Sequence, residues 1–149
     1  MIRNVLVAVD GSENSDRALD FALEFADKYD AELTVINVTE SSGVAAVPPE
    51  LAAYTSDNMV AVAKDLRKFH EDILTKAMAH VKATKPNLPV SAALRDGNPA
   101  SEIVAAAKEG SFDVVVLGHR GVSKVREIFL GSISDKVVHS LPCTVIIVK

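Results

Sequence analysis

The chain has 149 residues, 48% of them hydrophobic and 24% charged, a length and balance that describe one globular core over 1–149 and exclude a disordered or fibrous chain. Its 16 basic residues are outnumbered by 20 acidic ones, for a formal net charge of −4, which excludes DNA and RNA as expected partners because a phosphate backbone is gripped by clustered positive charge. No run approaches the ~18 apolar residues of a membrane span, and no export signal is visible around Ile2-Arg3-Asn4-Val5, so a cytoplasmic protein without a membrane partner is expected.

Short β-branched runs alternate with longer amphipathic ones, the pattern of βαβ units around a parallel sheet. The first strand spans Ile2 to Val9 and ends at Asp10-Gly11-Ser12. Ala18, Leu19, Ala22, Leu23 and Ala26 then recur at helical spacing, so a first helix runs from about Ser15 to Tyr29. The second strand covers Ala31 to Val38. Glu40 to Thr55, with Pro48-Pro49 and many small apolar residues, is too long for an ordinary βα turn and reads either as a flap near a ligand or as a plain connector. A second helix extends from near Ser56 to about Thr84, with Val60, Ala63, Leu66, Ile73, Ala77 and Val81 on one side, charges on the other and Pro86 just beyond its end. Val90 to Arg95 make a third strand. Asn98 caps a third helix that opens with Pro99, carries Ile103, Ala106 and Ala107, and stops at Gly110. Asp113 to Leu117 and Thr144 to Val148 are apolar on both faces, as strands covered on each side are. Between them a fourth helix runs from Ser132 to Ser140, with Ile133, Val137 and Leu141 on one face, until Pro142 forbids its continuation. The expected fold is α/β: a single-domain, open, parallel five-stranded sheet of order 3-2-1-4-5 with helices on both faces. Cys143, the only cysteine, cannot close an intramolecular disulfide and reads as a small buried hydrophobe.

Chemistry gathers at two places. The fourth strand runs into Gly118-His119-Arg120-Gly121, and nine residues later Gly131-Ser132 opens the fourth helix. Glycines let backbone N–H groups approach an anion, and a helix amino terminus adds unpaired donors with a positive partial charge, so the spacing suits a phosphate cradle. Arg120, Lys124 and Arg126 put positive charge in the same loop, and Ser132 and Ser134 can donate to phosphate oxygens. Asp10 follows the first strand and can accept from ribose hydroxyls. In an order of 3-2-1-4-5, strands one and four are neighbours where the order reverses, which is where open α/β sheets bind ligands. Neither G-x-x-x-x-G-K-[ST] nor a G-x-G-x-x-G after the first strand is present, which excludes P-loop and dinucleotide enzymes. A phosphorylatable receiver domain would need further carboxylates beside Asp10 that Ala8-Val9 does not supply. His70, His80, His119 and His139 show no ligand spacing, so no metal site is expected, and they are assigned to the surface or to packing. No catalytic residue is assigned, because phosphoryl transfer needs a positioned metal and an oriented nucleophile.

Val7-Ala-Val-Asp10-Gly-Ser12 followed by Ala18-Leu19, the charged turn into strand two, and Gly118-x-x-Gly121-x9-Gly131-Ser132 together resemble the universal stress protein family of the ATP-binding kind, over nearly the whole chain. The resemblance implies that Asp10 contacts the ribose and adenine side, that the backbone at Val38 holds the adenine, and that Gly118, Gly121, Gly131 and Ser132 bind phosphate, with Ile133 and Ser134 adjoining; Arg120 joins the expected nucleotide-binding set through its charge. His119 departs from the small residue common there. The expected ligand is ATP, with or without magnesium, and AMP, ADP and cyclic AMP stay open. The expected function is a nucleotide-dependent stress-response regulator or interaction module; the alternative is an enzyme that hydrolyses ATP slowly or phosphorylates itself near Ser132. The fifth strand lies at a sheet edge without the charges or prolines that protect one. A homodimer through Val145 to Val148 is therefore expected, as the resemblance also implies, with proline at Ile146 expected to weaken it.

Overall fold

The computed structural model describes residues 1–40, 57–119 and 130–149. In chain order the elements are β1 (Asn4–Ala8), α1 (Glu13–Tyr29), β2 (Glu32–Thr39), α2 (Asp57–Thr84), β3 (Val90–Asp96), α3 (Pro99–Glu109), β4 (Val114–Gly118), α4 (Ser132–Ser140) and β5 (Thr144–Val148). The strands form one parallel sheet of order β3-β2-β1-β4-β5, as the alternation of patterns predicts.

Period-two alternation divides the core between the two faces. Val5, Val7, Leu33, Val35, Val114 and Val116 pack beneath α1 and α2, with Ala18, Leu19, Ala22, Leu23, Ala77 and Val81 opposite them. Leu6, Ile36, Val115 and Leu117 pack beneath α3 and α4, against Ile103, Ala107 and Val137. The three inner strands thus carry apolar residues on both faces, as strands flanked by helices must. Cys143 is half-buried against the second cluster, and burial raises its thiol pKa.

Local signals set most boundaries. Asn98 accepts from the amide of Ser101 with Pro99 in the first turn, and α4 begins and ends where expected. Helix α1 starts two residues before the predicted Ser15, because the Ser12 side chain caps it by accepting from the amide of Ser15.

Two expectations need correction. Val60 belongs to the apolar side of α2, the side expected to meet the sheet, yet it is 68% exposed. A helix of 28 residues is about 42 Å long, whereas the 8 residues of β2 span about 26 Å, so the first turns of α2 overhang the sheet. The second concerns β5. The amide of Thr144 donates to the carbonyl of Asp113, and the carbonyl of Val148 accepts from the amide of His119. Peptide groups alternate direction along a strand, so those of Thr144, Ile146 and Val148 face β4. The outer edge carries Val145 and Ile147, and proline at Ile146 would break the sheet's own ladder. The expected flap beyond Glu40 lies outside the described residues.

Candidate functional site

The site begins where β1 leaves its partner. Register pairs Ala8 with Ile36, and one rung further the amide of Val9 still donates to the carbonyl of Ile36, 2.9 Å away. In a continuing parallel ladder the carbonyl of Val9 would accept from the amide of Val38. It accepts instead from the side-chain Nδ2 of Asn37, at 2.7 Å. The buried carbonyl is thereby satisfied by a side chain, and the main chain of Val38 faces past the end of β1.

Beyond Val9 the chain makes a tight turn that holds Asp10. Its Oδ1 accepts from the amide of Ser12 at 2.9 Å, and its own amide donates to the hydroxyl oxygen of Ser15 at 3.2 Å. The Ser15 hydroxyl in turn donates to the carbonyl of Ser12 at 2.9 Å. Gly11 lies in the left-handed region with φ 81°, where other residues are strained. One oxygen of Asp10 is thus committed to its own turn, leaving Oδ2 as the oxygen for a ligand.

A cavity of about 330 Å³ lies over the carboxyl ends of the strands, within the range of small-molecule sites. Its floor is Ala8, Val9, Asp10, Leu117 and Gly118 from the two strands where the order reverses, together with Ile36, Asn37 and Val38. One end is closed by Leu66, Phe69 and His70 of α2; the other meets Ile133 and Ser134 of α4, which stands on the opposite face of the sheet. The charged side chains among the described lining are the carboxylates of Asp10 and Glu40.

Of the predicted residues, Asp10, Val38, Gly118, Ile133 and Ser134 converge on this cavity. Gly131 caps α4 without a side-chain bond, and its amide donates to the carbonyl of His119 at 3.1 Å; Ser132, the first residue of α4, is exposed. Neither belongs to the cavity lining. Arg120, Gly121, Lys124 and Arg126 lie outside the described residues. Two of these residues also make contacts within the chain. The Ser134 hydroxyl donates to the carbonyl of Gly118 at 2.9 Å, so its proton ties α4 to the end of β4. A Cβ on Gly118 would sit 2.8 Å from both the carbonyl carbon and oxygen of Asn14, so this glycine lets α1 approach the strand.

Sequence reasoning missed the α2 wall and Asn37. His70 falls in helical register with Leu66, Ile73 and Ala77, a polar residue on an apolar stripe, and Asn37 interrupts the apolar run of β2. Those interruptions are the signal that could have found them. Asn37 is 2% exposed, and its Oδ1 lies 2.6 Å from His70 Nδ1. Burial lowers the pKa of His70 from its ordinary value, against the opposing pull of Glu40, Asp10 and Asp96. Among the described residues no three His, Cys, Asp or Glu side chains gather as a metal site would, and no helix is long and apolar enough to cross a membrane.

An open parallel sheet with its cavity at the reversal of strand order defines a doubly wound α/β protein, the class in which ligands bind at that switch point. The model of the universal stress protein family matches residues 1–149, and the chain belongs to this stress-response family. It is 33% identical over 150 residues to the universal stress protein YxiE of Bacillus subtilis, covering all of both chains. It is 34% identical to a universal stress protein of Methanothermobacter thermautotrophicus, over all of this chain and 97% of that one. Among solved structures, universal stress protein UspA from Lactobacillus plantarum superposes with a TM-score of 0.83 at 26% identity, covering 99% of this chain and 97% of that one. Two more distant structures share the fold. One is a universal stress protein in complex with cAMP, with a TM-score of 0.66 at 24% identity over 99% of this chain and 96% of its own. The other is the Archaeoglobus fulgidus protein in complex with dAMP, with a TM-score of 0.64 at 22% identity over 100% of this chain and 98% of its own.

Proposed function

We propose that the cavity binds an adenine nucleotide, ATP in the first instance, and that the protein is a nucleotide-dependent regulator or interaction module with little or no turnover. The observation that carries this reading is the convergence of Asp10, Val38, Gly118, Ile133 and Ser134 on one cavity at the reversal of strand order. The base lies at the β2 end, against Leu66 and Phe69, with the main chain of Val38 turned toward it. The ribose meets Asp10. The phosphates extend toward the amino terminus of α4, where the first-turn amides from Ser132 onward and the basic residues Arg120, Lys124 and Arg126 offset their charge. Magnesium, when present, is held chiefly by phosphate oxygens and water. The cAMP and dAMP complexes of the two distant relatives make adenine the base to test first. The protein works in the cytoplasm as a homodimer whose β5 strands pair across a two-fold axis.

Mass spectrometry of small molecules released from the purified protein, followed by calorimetric titration with ATP, ADP, AMP and cyclic AMP, tests the site. ATP is expected to bind, and Gly131→Val, which places a branched side chain at the mouth of α4, is expected to weaken it tenfold or more, as loss of about 1.4 kcal/mol would. Absence of binding by all four nucleotides overturns the reading. With magnesium, turnover is expected below about one per second, the low end of the enzymatic range; a faster rate would favour the hydrolytic alternative.

A further inference from the structure

The bond between Asn37 and His70 settles a proton. The carbonyl of Val9 can only accept, so the Asn37 atom 2.7 Å from it is the amide nitrogen, and Oδ1 is the atom 2.6 Å from His70 Nδ1. An amide oxygen also only accepts, so Nδ1 carries the hydrogen. In a neutral imidazole the lone pair then belongs to Nε2. Burial favours that neutral ring, although Asp10 after β1, Glu40 after β2 and Asp96 at the end of β3 pull the other way. Asn37 is buried and doubly bonded, so the ring is held from behind by a fixed group. No described residue bonds to Nε2.

Position gives this lone pair a use. His70 shares the α2 wall with the apolar side chains of Leu66 and Phe69, a surface suited to a flat heterocycle, and the carboxylate at that end, Glu40, is also an acceptor. An acceptor at Nε2 favours a base that presents a donor to it and disfavours one that presents a carbonyl oxygen there.

We infer that His70 reads the purine: bound to Asn37 through Nδ1, it offers Nε2 as an acceptor at the β2 end of the cavity and selects 6-amino over 6-oxo purine nucleotides. The inference rests on the nucleotide reading proposed above. It assigns to α2 a specificity role separate from the glycine loop.

The test compares ATP with inosine triphosphate, and AMP with inosine monophosphate, by calorimetry on wild type, His70→Phe and His70→Gln. Wild type is expected to prefer the 6-amino member of each pair by about tenfold, the worth of one well-placed hydrogen bond. His70→Phe, which keeps a ring but removes both nitrogens, is expected to bring that ratio within about twofold, and His70→Gln, whose amide retains an acceptor, to recover part of it. Each ratio is taken within one variant, so a loss of stability cancels. Nitrogen NMR of the ligand-free protein should show an imidazole signal of the Nδ1-protonated tautomer that disappears in His70→Phe. An unchanged ratio in His70→Phe, or a His70 signal of the Nε2-protonated tautomer, overturns the inference and leaves the nucleotide site standing. If none of ATP, ADP, AMP and cyclic AMP binds wild type, both fall.

Discussion

Replacing Gly118 by alanine tests the contact between β4 and α1 on which the cavity floor depends. Gly118 has no positive φ, so in open space alanine would stabilise the fold by about 0.4–1 kcal/mol through the unfolded chain. The space is not open. The new Cβ meets the carbonyl carbon and oxygen of Asn14 at 2.8 Å and its Cβ at 3.1 Å, against an optimum near 3.5–4.0 Å between carbons. The atoms it meets are mostly backbone in the first turn of α1, which cannot rotate aside. That turn is pinned by the Ser12 cap and by buried Ser15, Ala18 and Leu19, so relief requires the helix to shift by about 0.7 Å. Overpacking of this kind costs about 1–3 kcal/mol, and a backbone neighbour places this case in the upper half, about 2–3 kcal/mol. For a chain of this length the unfolding midpoint should fall by about 5–10 °C, measured by far-UV circular dichroism. Because the strain propagates into the turn that holds Asp10, ATP affinity should fall as well. A midpoint equal to or above wild type would refute the reasoning, since the two effects have opposite signs.

Removing the Asn37 side chain leaves the carbonyl of Val9 and the N–H of His70 without partners, so Asn37→Ala should lose about 2–3 kcal/mol in urea unfolding, and a loss under 0.5 kcal/mol would show that water replaces the amide freely. Asp113 accepts from the amides of Arg3 and Asn4 at 2.8 and 3.0 Å, and these bonds lower its pKa. A carboxyl depressed in the folded state stabilises above its unfolded value of about 3.9 and loses that contribution as pH falls through the folded value. Asp113→Asn should therefore be less stable than wild type at neutral pH, with the two converging in acid; a gap that stays constant with pH would contradict this. Proline at Ile147 removes an outward-facing donor from β5 while sparing the bonds to β4, as edge strands permit. Sedimentation equilibrium should show a dimer for wild type and a folded monomer for Ile147→Pro, and an unchanged dimer would place the interface elsewhere.

What was legible in the sequence shares a cause: it is encoded locally. Asn98-Pro99 and Pro142 mark helix ends through backbone geometry alone, and the apolar runs at 113–117 and 144–148 declare two strands, of which β4 is buried on both faces and β5, at the sheet edge, only half-buried. Val60 deceived because an amphipathic pattern does not say where the sheet beneath it stops. The peptide direction at Ile146 depends on register with β4, which no local pattern carries. Gly118 was identified as a glycine with a purpose, but the neighbour that demands it, Asn14, is distant in sequence. Asn37 and His70 were visible as polar breaks in apolar patterns, yet they gain meaning only as a pair.

Solvent access follows from the seam between β1 and β2. Where Asn37 supplies the rung that Val38 would otherwise complete, one main-chain amide in the middle of a parallel sheet is released from the ladder without leaving a buried carbonyl unpaired. Amides of inner strands ordinarily exchange their hydrogens only when the whole domain opens. Once the cavity is filled as proposed, exchange of the Val38 amide is expected to follow occupancy, while its neighbours in β2 follow the stability of the fold.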